Sequence, residues 1–170
     1  MDEYLIVDGY NIIGSWPELI KLKEINLEEA RDKLIEMLAD YKAYSGMHVT
    51  VIFDAHQVQG LGGKYKQSKL DILYTREKET ADECIERLVT ELSSRRVRIY
   101  VATSDSVEQH VTFGKGALRL AARELLHNME ESRKEIRSQI SNSRPVRRNA
   151  FDIKLSSDMK DIFEKWRRGK

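Results

Sequence analysis

Four aspartates lie at positions where a sheet could bring their carboxylates together. Asp8 and Asp54 each end a short apolar run, Asp105 follows another by three residues, and Asp82 lies in the first turn of a predicted helix. A single aspartate at the end of a strand is often only a turn former or a helix cap. Carboxylates packed together repel one another unless a cation neutralises them, and hard oxygen ligands select Mg²⁺ or Mn²⁺. The spacing therefore predicts that these four aspartates bind a divalent metal.

The chemistry that such a site favours is hydrolysis of a phosphodiester. Two divalent ions about 3.5–4 Å apart can stabilise both the attacking and the leaving oxygen of an in-line displacement. No nucleophilic side chain is then required, and neither Cys84 nor any of the four histidines has the spacing of a nucleophile or a metal site. Asn11 could orient a carboxylate or a water, or could be an ordinary turn residue. Ser104, just before Asp105, could bind a phosphate.

The elements that must hold these residues alternate between strands and helices. Short runs that are apolar throughout predict buried strands, and apolar residues spaced by three and four predict helices. The predicted strands are 4–7, 49–53, 70–74 and 97–102, and the predicted helices run between Asn26 and Gly46, from the Thr80–Glu83 capping box to Leu92, and from Gly116 to about Ile140. This order predicts a three-layer α/β fold, a mainly parallel central sheet flanked by helices, with the strands ending at one edge. Ligands bind at that edge in open sheets.

The length and composition predict a single domain over residues 1–170. With 41% hydrophobic residues, a chain of this length can bury a core without cross-links. We expect residues 57–69 to form a loop, and residues 143–170 to form a basic C-terminal extension: a loop at Pro145, then a short helix packed on the domain. The single cysteine excludes an intrachain disulfide, and no signal peptide or membrane-length apolar stretch is present, so we expect a cytoplasmic protein.

The four aspartates belong to four short motifs: Asp8-Gly9-Tyr10-Asn11, Phe53-Asp54-Ala55, Thr80-Ala81-Asp82 and Thr103-Ser104-Asp105. In their order and spacing these motifs resemble the NYN domain of the PIN-like nucleases, and most closely its YacP-like branch. The resemblance extends from about residue 4 to Gly169. It implies a PIN-like fold in which Asp8, Asp82 and Asp105 form the acidic centre, with Asp54 and Asn11 in support.

The same resemblance implies an activity and partners. It implies a divalent-metal-dependent endoribonuclease, with Asp8, Asn11, Asp82 and Asp105 as catalytic residues, that acts on messenger RNA in association with ribosomes. Nothing in the residues themselves requires a ribosome. A non-catalytic RNA- or ribosome-binding module on the same fold is an alternative, although all four aspartates are retained.

The distribution of charge favours a polyanion partner. Residues 1–85 hold 10 Lys/Arg and 16 Asp/Glu, a charge of −6, and residues 86–170 hold 19 and 12, a charge of +7, which sum to the +1 of the whole chain. A solvated helix face whose arginines pair with glutamates would give the same pattern. Arg119 and Arg123 are four residues apart and are predicted to share one helix face. The residues predicted to contact RNA are Lys64, Tyr65, Lys66, Ser104, Arg119, Arg123, Arg144, Arg147 and Arg148.

Two other classes of metal-dependent protein fit the motifs less well. A haloacid-type phosphatase requires a second aspartate two residues after the first, where Tyr10 stands. The segment Gly62-Gly63-Lys64 lacks the Ser or Thr that follows the lysine of a P-loop, since Tyr65 occupies that position. No nucleotide cofactor is therefore expected.

Overall fold

The computed structural model describes the backbone of residues 2–55, 63–67, 70–93, 96–104 and 116–154, and their side chains except 63–67 and those after Ser141. The chain divides into two compact units, residues 1–129 and 130–170. The sheet belongs to the first unit. The predicted short helix after residue 155 lies outside the described residues, and the single domain stays a prediction. No helix within the described ranges is long and apolar enough to cross a membrane.

Six strands of the described chain form one sheet in the order β3-β4-β2-β1-β5-β6. The strands are β1 (Asp2–Asp8), β2 (His48–Phe53), β3 (Gly63–Gln67), β4 (Leu70–Tyr74), β5 (Val97–Ala102) and β6 (Leu118–Leu120), and the helices are α1 (Gly9–Ile13), α2 (Pro17–Ile25), α3 (Leu27–Ser45), α4 (Ala81–Ser93) and α5 (Ala122–Lys154). Only β3 runs antiparallel to its neighbour in this sheet, and the other five strands are parallel. The predicted mainly parallel α/β architecture is confirmed.

The sheet buries an apolar cluster on each face, which makes the fold three-layered. Along β1, Leu5 and Val7 belong to one cluster and Ile6 to the other, because successive side chains of a strand point to opposite faces. The first cluster includes residues of α1, α2, α3 and the start of α5, and the second includes Ile85 and Val89 of α4. Burying each such side chain contributes roughly 1.5–3 kcal/mol.

The ends of α3 lie where the sequence predicts them. The Asn26 side chain accepts hydrogen bonds from the amides of Glu28 at 2.9 Å and Glu29 at 3.4 Å, so it caps the first turn. Gly46 follows the last turn with a φ of +75°, a left-handed conformation that glycine adopts without strain. Together these two residues fix the helix that covers one face of the sheet.

Two helices, α1 and α2, lie where the sequence predicts no element, and strand β6 lies where it predicts a helix. Helix α1 has five residues and β6 has three, which is too short to show a repeat of apolar residues. The predicted helix from Gly116 is therefore wrong in its first part. Gly116 has a φ of +86°, β6 follows it, and the helix α5 begins only at Ala122.

Two predicted loops are also partly wrong. Within the predicted loop 57–69, residues Gly63–Gln67 form β3, which pairs with β4 in antiparallel orientation. The hydrogen bonds of that hairpin outweigh the weak strand propensity of a Gly- and Lys-rich segment. Helix α5 also continues through Pro145, where a loop is predicted. A proline removes one backbone hydrogen bond from a helix, and it can bend the helix without ending it.

Candidate functional site

Asp8 lies at the carboxyl edge of the sheet, as the last residue of β1 and the residue before α1. It is 6% exposed, and its side chain makes no capping hydrogen bond to the amides of α1. Gly9 permits this abrupt change from strand to helix, because a Cβ there would lie 2.4 Å from Cε1 of Phe53 and 3.0 Å from the carbonyl oxygen of Ile52. Gly9 therefore allows α1 to pack closely against β2, and Asp8 places a carboxylate at the carboxyl edge of the sheet.

Asn11 joins the carboxyl ends of β1 and β5. Its Oδ1 accepts a hydrogen bond from the backbone amide of Ser104 at 2.8 Å and a second, short one from the Ser104 hydroxyl. The amide of Thr103 donates to the carbonyl of Leu120 at 3.3 Å, which fastens the same segment to β6. Val7 pairs with Ala102 in the β1–β5 ladder, so Asp8 lies beside this segment. The structure thus brings three predicted site residues together at one edge.

Asp54 is held at the same edge by Thr75. Thr75 Oγ1 donates to Oδ1 of Asp54 at 3.5 Å and accepts from the amide of Ala55 at 2.9 Å, while its own amide donates to the carbonyl of Phe53 at 3.0 Å. The Thr75 side chain is buried. Sequence reasoning missed Thr75, although its position directly after β4 matches that of Asp54 directly after β2.

Asp82 lies in the first turn of α4 and is exposed. The turn is fixed by Thr80, whose Oγ1 accepts from the amide of Glu83 at 3.2 Å, as the predicted capping box requires. Because α4 follows β4 after a short connection, its amino end belongs to the carboxyl edge of the sheet. A carboxylate is favoured there by the helix dipole as well.

The donor set at this edge suits a hard divalent cation, since it consists of carboxylate oxygens supported by an amide and hydroxyls. Within the described ranges, no group of three or more His, Cys, Asp or Glu side chains is close enough to hold a metal. Asp105, the fourth predicted ligand, lies outside the described residues. The metal site formed by all four aspartates therefore stays a prediction.

A cavity of about 350 Å³ opens beside Ser104. Its wall includes Ser15, Trp16, Ser104, Arg119 and Arg123. The Trp16 ring is held by a hydrogen bond of 2.8 Å from Nε1 to the carbonyl of Ala122, at the start of α5. The prediction that Arg119 and Arg123 share one helix face is wrong, because Arg119 lies on β6. The two arginines nevertheless line one cavity.

A second charged cluster joins α4 to the turn that precedes it. Arg87 donates to both carboxylate oxygens of Glu79 at 3.2 Å, and Glu91 lies 3.9 Å from the same guanidinium. Burial alone would raise the pKa of Glu79, but hydrogen bonds from Arg87 and from the Arg76 amide, with both positive charges, lower it. Burial, and then the charge of Glu79, raises the pKa of the Cys84 thiol to about 11. A thiol held protonated in this way is no nucleophile.

Several residues predicted to contact RNA have side chains that the structure does not describe. Lys64, Tyr65 and Lys66 lie in β3, and Arg144, Arg147 and Arg148 lie in α5. In the second unit, Lys134 forms an exposed ion pair of 3.7 Å with Glu131.

The chain is similar to known proteins in both sequence and structure. Residues 5–168 match the family model of the YacP-like NYN domain. The chain is 46% identical over 170 residues to the protein YacP of Bacillus subtilis, covering 98% of both chains. It resembles the crystal structure of Rae1 (YacP) from Bacillus subtilis with a TM-score of 0.74 at 47% identity, over 99% of this chain and 96% of that chain. For a tryptophan-to-leucine mutant of the same protein, the TM-score is 0.71 at 45% identity, over 82% and 81%.

Proposed function

This chain belongs to the YacP-like NYN domain family of PIN-like nucleases, and from that premise we propose that it is a metal-dependent endoribonuclease. Membership of the family supports RNA as the substrate class and hydrolysis of phosphodiesters as the reaction class. The proposal adds three points for this chain: cleavage within the RNA, dependence on Mg²⁺ or Mn²⁺, and the residues responsible.

The observation that supports the proposal most directly is the bond between Asn11 and Ser104. Asn11 Oδ1 accepts from both the amide and the hydroxyl of Ser104, which ties the end of β5 to α1 next to Asp8. Asp105 is the residue that follows Ser104 in the sequence. Asn11 therefore connects two segments 93 residues apart and does more than close a local turn.

We assign the metal to Asp8, Asp54, Asp82 and Asp105, with Asn11 orienting the segment that carries Ser104. When bound, the cation would stabilise negative charge that develops on the phosphate oxygens. Burial of Asp8 keeps one carboxylate in a setting of low dielectric, where its attraction for a cation is stronger than in water. In the reaction, the oxygen of a water forms a bond to phosphorus, the bond to the 3′ oxygen breaks, and the 3′ oxygen takes a proton. The products then carry a 5′-phosphate and a 3′-hydroxyl.

The proposed substrate is messenger RNA, with the ribosome as partner. The resemblance to the YacP-like branch supports both, and the excess of Lys and Arg in residues 86–170 is compatible with an RNA-rich partner. We keep the predicted contacts of Lys64, Tyr65 and Lys66 in β3, and of Arg144, Arg147 and Arg148 in α5, as part of this proposal.

The deciding experiment compares cleavage of naked RNA and of messenger RNA on translating ribosomes, each with Mg²⁺, Mn²⁺ or chelator. We expect cleavage with a metal and none with chelator. Asp8→Asn and Asp82→Asn should each lower the rate by at least about 1,000-fold, because loss of a ligand removes several kcal/mol of transition-state stabilisation. The melting temperature should be unchanged or raised, since repulsion between carboxylates is relieved.

A matched control is Asp40→Asn, which makes the same change at an exposed position on α3. It should cleave like the wild type. Wild-type activity in Asp8→Asn or Asp82→Asn, or product ends that carry a 2′,3′-cyclic phosphate, would overturn the mechanism. Binding of RNA without cleavage on either substrate, with every metal, would instead identify a non-catalytic binding module.

A further inference from the structure

Arg31 of α3 is hydrogen-bonded to Tyr10 of α1 close to the carboxyl edge of the sheet. Nη1 of Arg31 donates to the hydroxyl oxygen of Tyr10 at 2.9 Å. Tyr10 follows Asp8 by two residues. Its ring centroid lies 5.1 Å from that of Phe53, the last residue of β2 and the residue before Asp54. The Arg31–Tyr10 pair is therefore attached to the two strand ends that carry the predicted metal ligands.

The Arg31 guanidinium has no ion-pair partner in the described part of the chain. Arg31 and Tyr10 are both half-buried, and no described carboxylate forms an ion pair with Arg31. Glu28, one turn earlier on α3, is exposed and forms none with it. A charge that is partly withdrawn from water is costly unless an opposite charge or hydrogen bonds compensate it. The neutral Tyr10 hydroxyl supplies only part of that compensation, so the pair suits an anionic ligand.

The hydrogen-bond donors of this pair suit a phosphate group. An arginine side chain carries five N–H donors in one plane, and this geometry fits two oxygens of a phosphate. The bond to Tyr10 uses one of these donors and restricts the orientation of the guanidinium. The hydroxyl accepts that bond, so its own proton can be donated to another oxygen. The pair therefore offers one phosphate a positive charge, N–H donors and an O–H donor.

With this pair, basic side chains lie on both sides of Asp8 along the sheet. Strand β1 lies between β2 and β5, and β6 lies beyond β5. Arg119 of β6 is on one side of Asp8, and the Arg31–Tyr10 pair, which contacts the end of β2, is on the other. An RNA strand that crosses the carboxyl edge at Asp8 would therefore have a cation for its backbone on each side.

We propose that Arg31 and Tyr10 bind the RNA phosphate that lies on the β2 side of the cleaved bond. The inference rests on the proposed function and adds to it a substrate contact from α3, which carries none of the predicted site residues. A contact to the phosphate backbone positions the strand and carries no sequence information directly. Arg31 and Tyr10 are thus expected to increase affinity for RNA of any sequence.

The test measures binding of a single-stranded oligouridylate and the melting temperature, with chelator present so that no cleavage occurs. Arg31→Gln should weaken binding roughly tenfold, as expected for loss of a charged hydrogen bond. It should also reduce the salt-dependence slope by about 0.7. Arg31→Lys should keep the slope, because it retains the charge. Tyr10→Phe should weaken binding about fivefold, as expected for a neutral hydrogen bond, and should also keep the slope.

The matched control is Lys33→Gln, which removes a half-buried positive charge from the same helix. Lys33 lies 3.9 Å from a carboxylate oxygen of Glu18, so its charge has a partner within the fold. This variant should bind RNA like the wild type. If Arg31→Gln and Tyr10→Phe lower the melting temperature but leave affinity and salt slope unchanged, the bond only joins α1 to α3 and the inference is overturned. A wild type that does not bind the oligouridylate would overturn it as well.

Cleavage assays on the same proteins separate this inference from the proposed function. Binding that depends on Arg31, in a wild type that cleaves no RNA with Mg²⁺ or Mn²⁺, would support the phosphate contact and refute the nuclease. Cleavage by a wild type whose Arg31 and Tyr10 variants bind RNA normally would leave the nuclease standing without this contact.

Discussion

The arginine of α4 and the arginines beside Ser104 illustrate two uses of the same side chain. Arg87 is held by Glu79 through two hydrogen bonds of 3.2 Å, and Glu91 lies nearby, so its charge is satisfied within the fold. Arg119 and Arg123 border one cavity and have no carboxylate partner among the described residues. Charge that is paired internally connects elements of the fold, whereas charge that is left unpaired at a cavity is available for a ligand. Position in the structure, more than residue type, separates an arginine that is bound within the fold from one that is available to a ligand.

Among the substitutions that test this comparison, Asn11→Ala should have the largest effect on the rate of RNA cleavage. Loss of Oδ1 leaves the amide and hydroxyl of Ser104 without their acceptor, so we expect the rate of RNA cleavage to fall about 10- to 100-fold, typical of one misplaced hydrogen-bonding group. Single-turnover cleavage with Mg²⁺ measures it.

A matched control for that variant is Asn26→Ala, which removes an asparagine that caps α3. It should lower the free energy of unfolding by about 1 kcal/mol and leave the cleavage rate of the folded protein unchanged. If Asn11→Ala behaves like Asn26→Ala, with a loss of stability and normal cleavage, the Asn11–Ser104 bond is only structural.

A smaller effect, confined to stability, is expected from Glu79→Gln. Glu79 has a lowered pKa in the folded chain, so its ionised form stabilises the fold above the unfolded pKa, and this is lost as the pH falls through the folded pKa. The variant should therefore be less stable than the wild type by about 1 kcal/mol at pH 7, and the difference should disappear as the pH falls through the lowered pKa of Glu79. Denaturant unfolding at several pH values measures it.

Glu91→Gln is the control for the ion pair, because Glu91 is 62% exposed and lies 3.9 Å from the same guanidinium. Its effect on stability should be too small to measure. Cleavage of RNA should be normal in both variants. A loss of cleavage in Glu79→Gln at pH 7 would contradict the view that the Arg87–Glu79 pair serves only the stability of the fold.

The smallest effect concerns the reactivity of Cys84. Because its pKa is raised to about 11, almost none of the thiol is ionised at pH 8. Alkylation by iodoacetamide at that pH should be slow in the native protein and should reach the rate of a free thiol only in denaturant. Mass spectrometry of the modified chain measures both rates. Rapid modification of the native protein would show that the α4 cluster is open to solvent.

The sequence predicts the scaffold of the site better than its walls. The strand ends at Asp8 and Asp54 and the capped start of α3 follow from local patterns, because apolar runs and caps are encoded by neighbouring residues. The bond from Asn11 to Ser104 is consistent with the predicted meeting of strand ends at one edge.

The cavity wall depends on contacts that no local pattern encodes. Trp16 Nε1 bonds to a carbonyl 106 residues away, and Arg119 lies on a strand of three residues that has no detectable period. The same holds for Thr75, whose support of Asp54 depends on the pairing of β2 with β4. Such groups can be found only once the chain is folded.

The position of β1 between β2 and β5 has a consequence for the order in which the protein is made. Strand β1 is synthesised before its partners at residues 48–52 and 97–102, and Asn11 is synthesised before Ser104. Contacts between such distant residues cannot form until the later segment has emerged. A growing chain therefore carries Asp8 and Asn11 for most of its synthesis without the segment that completes their edge of the sheet.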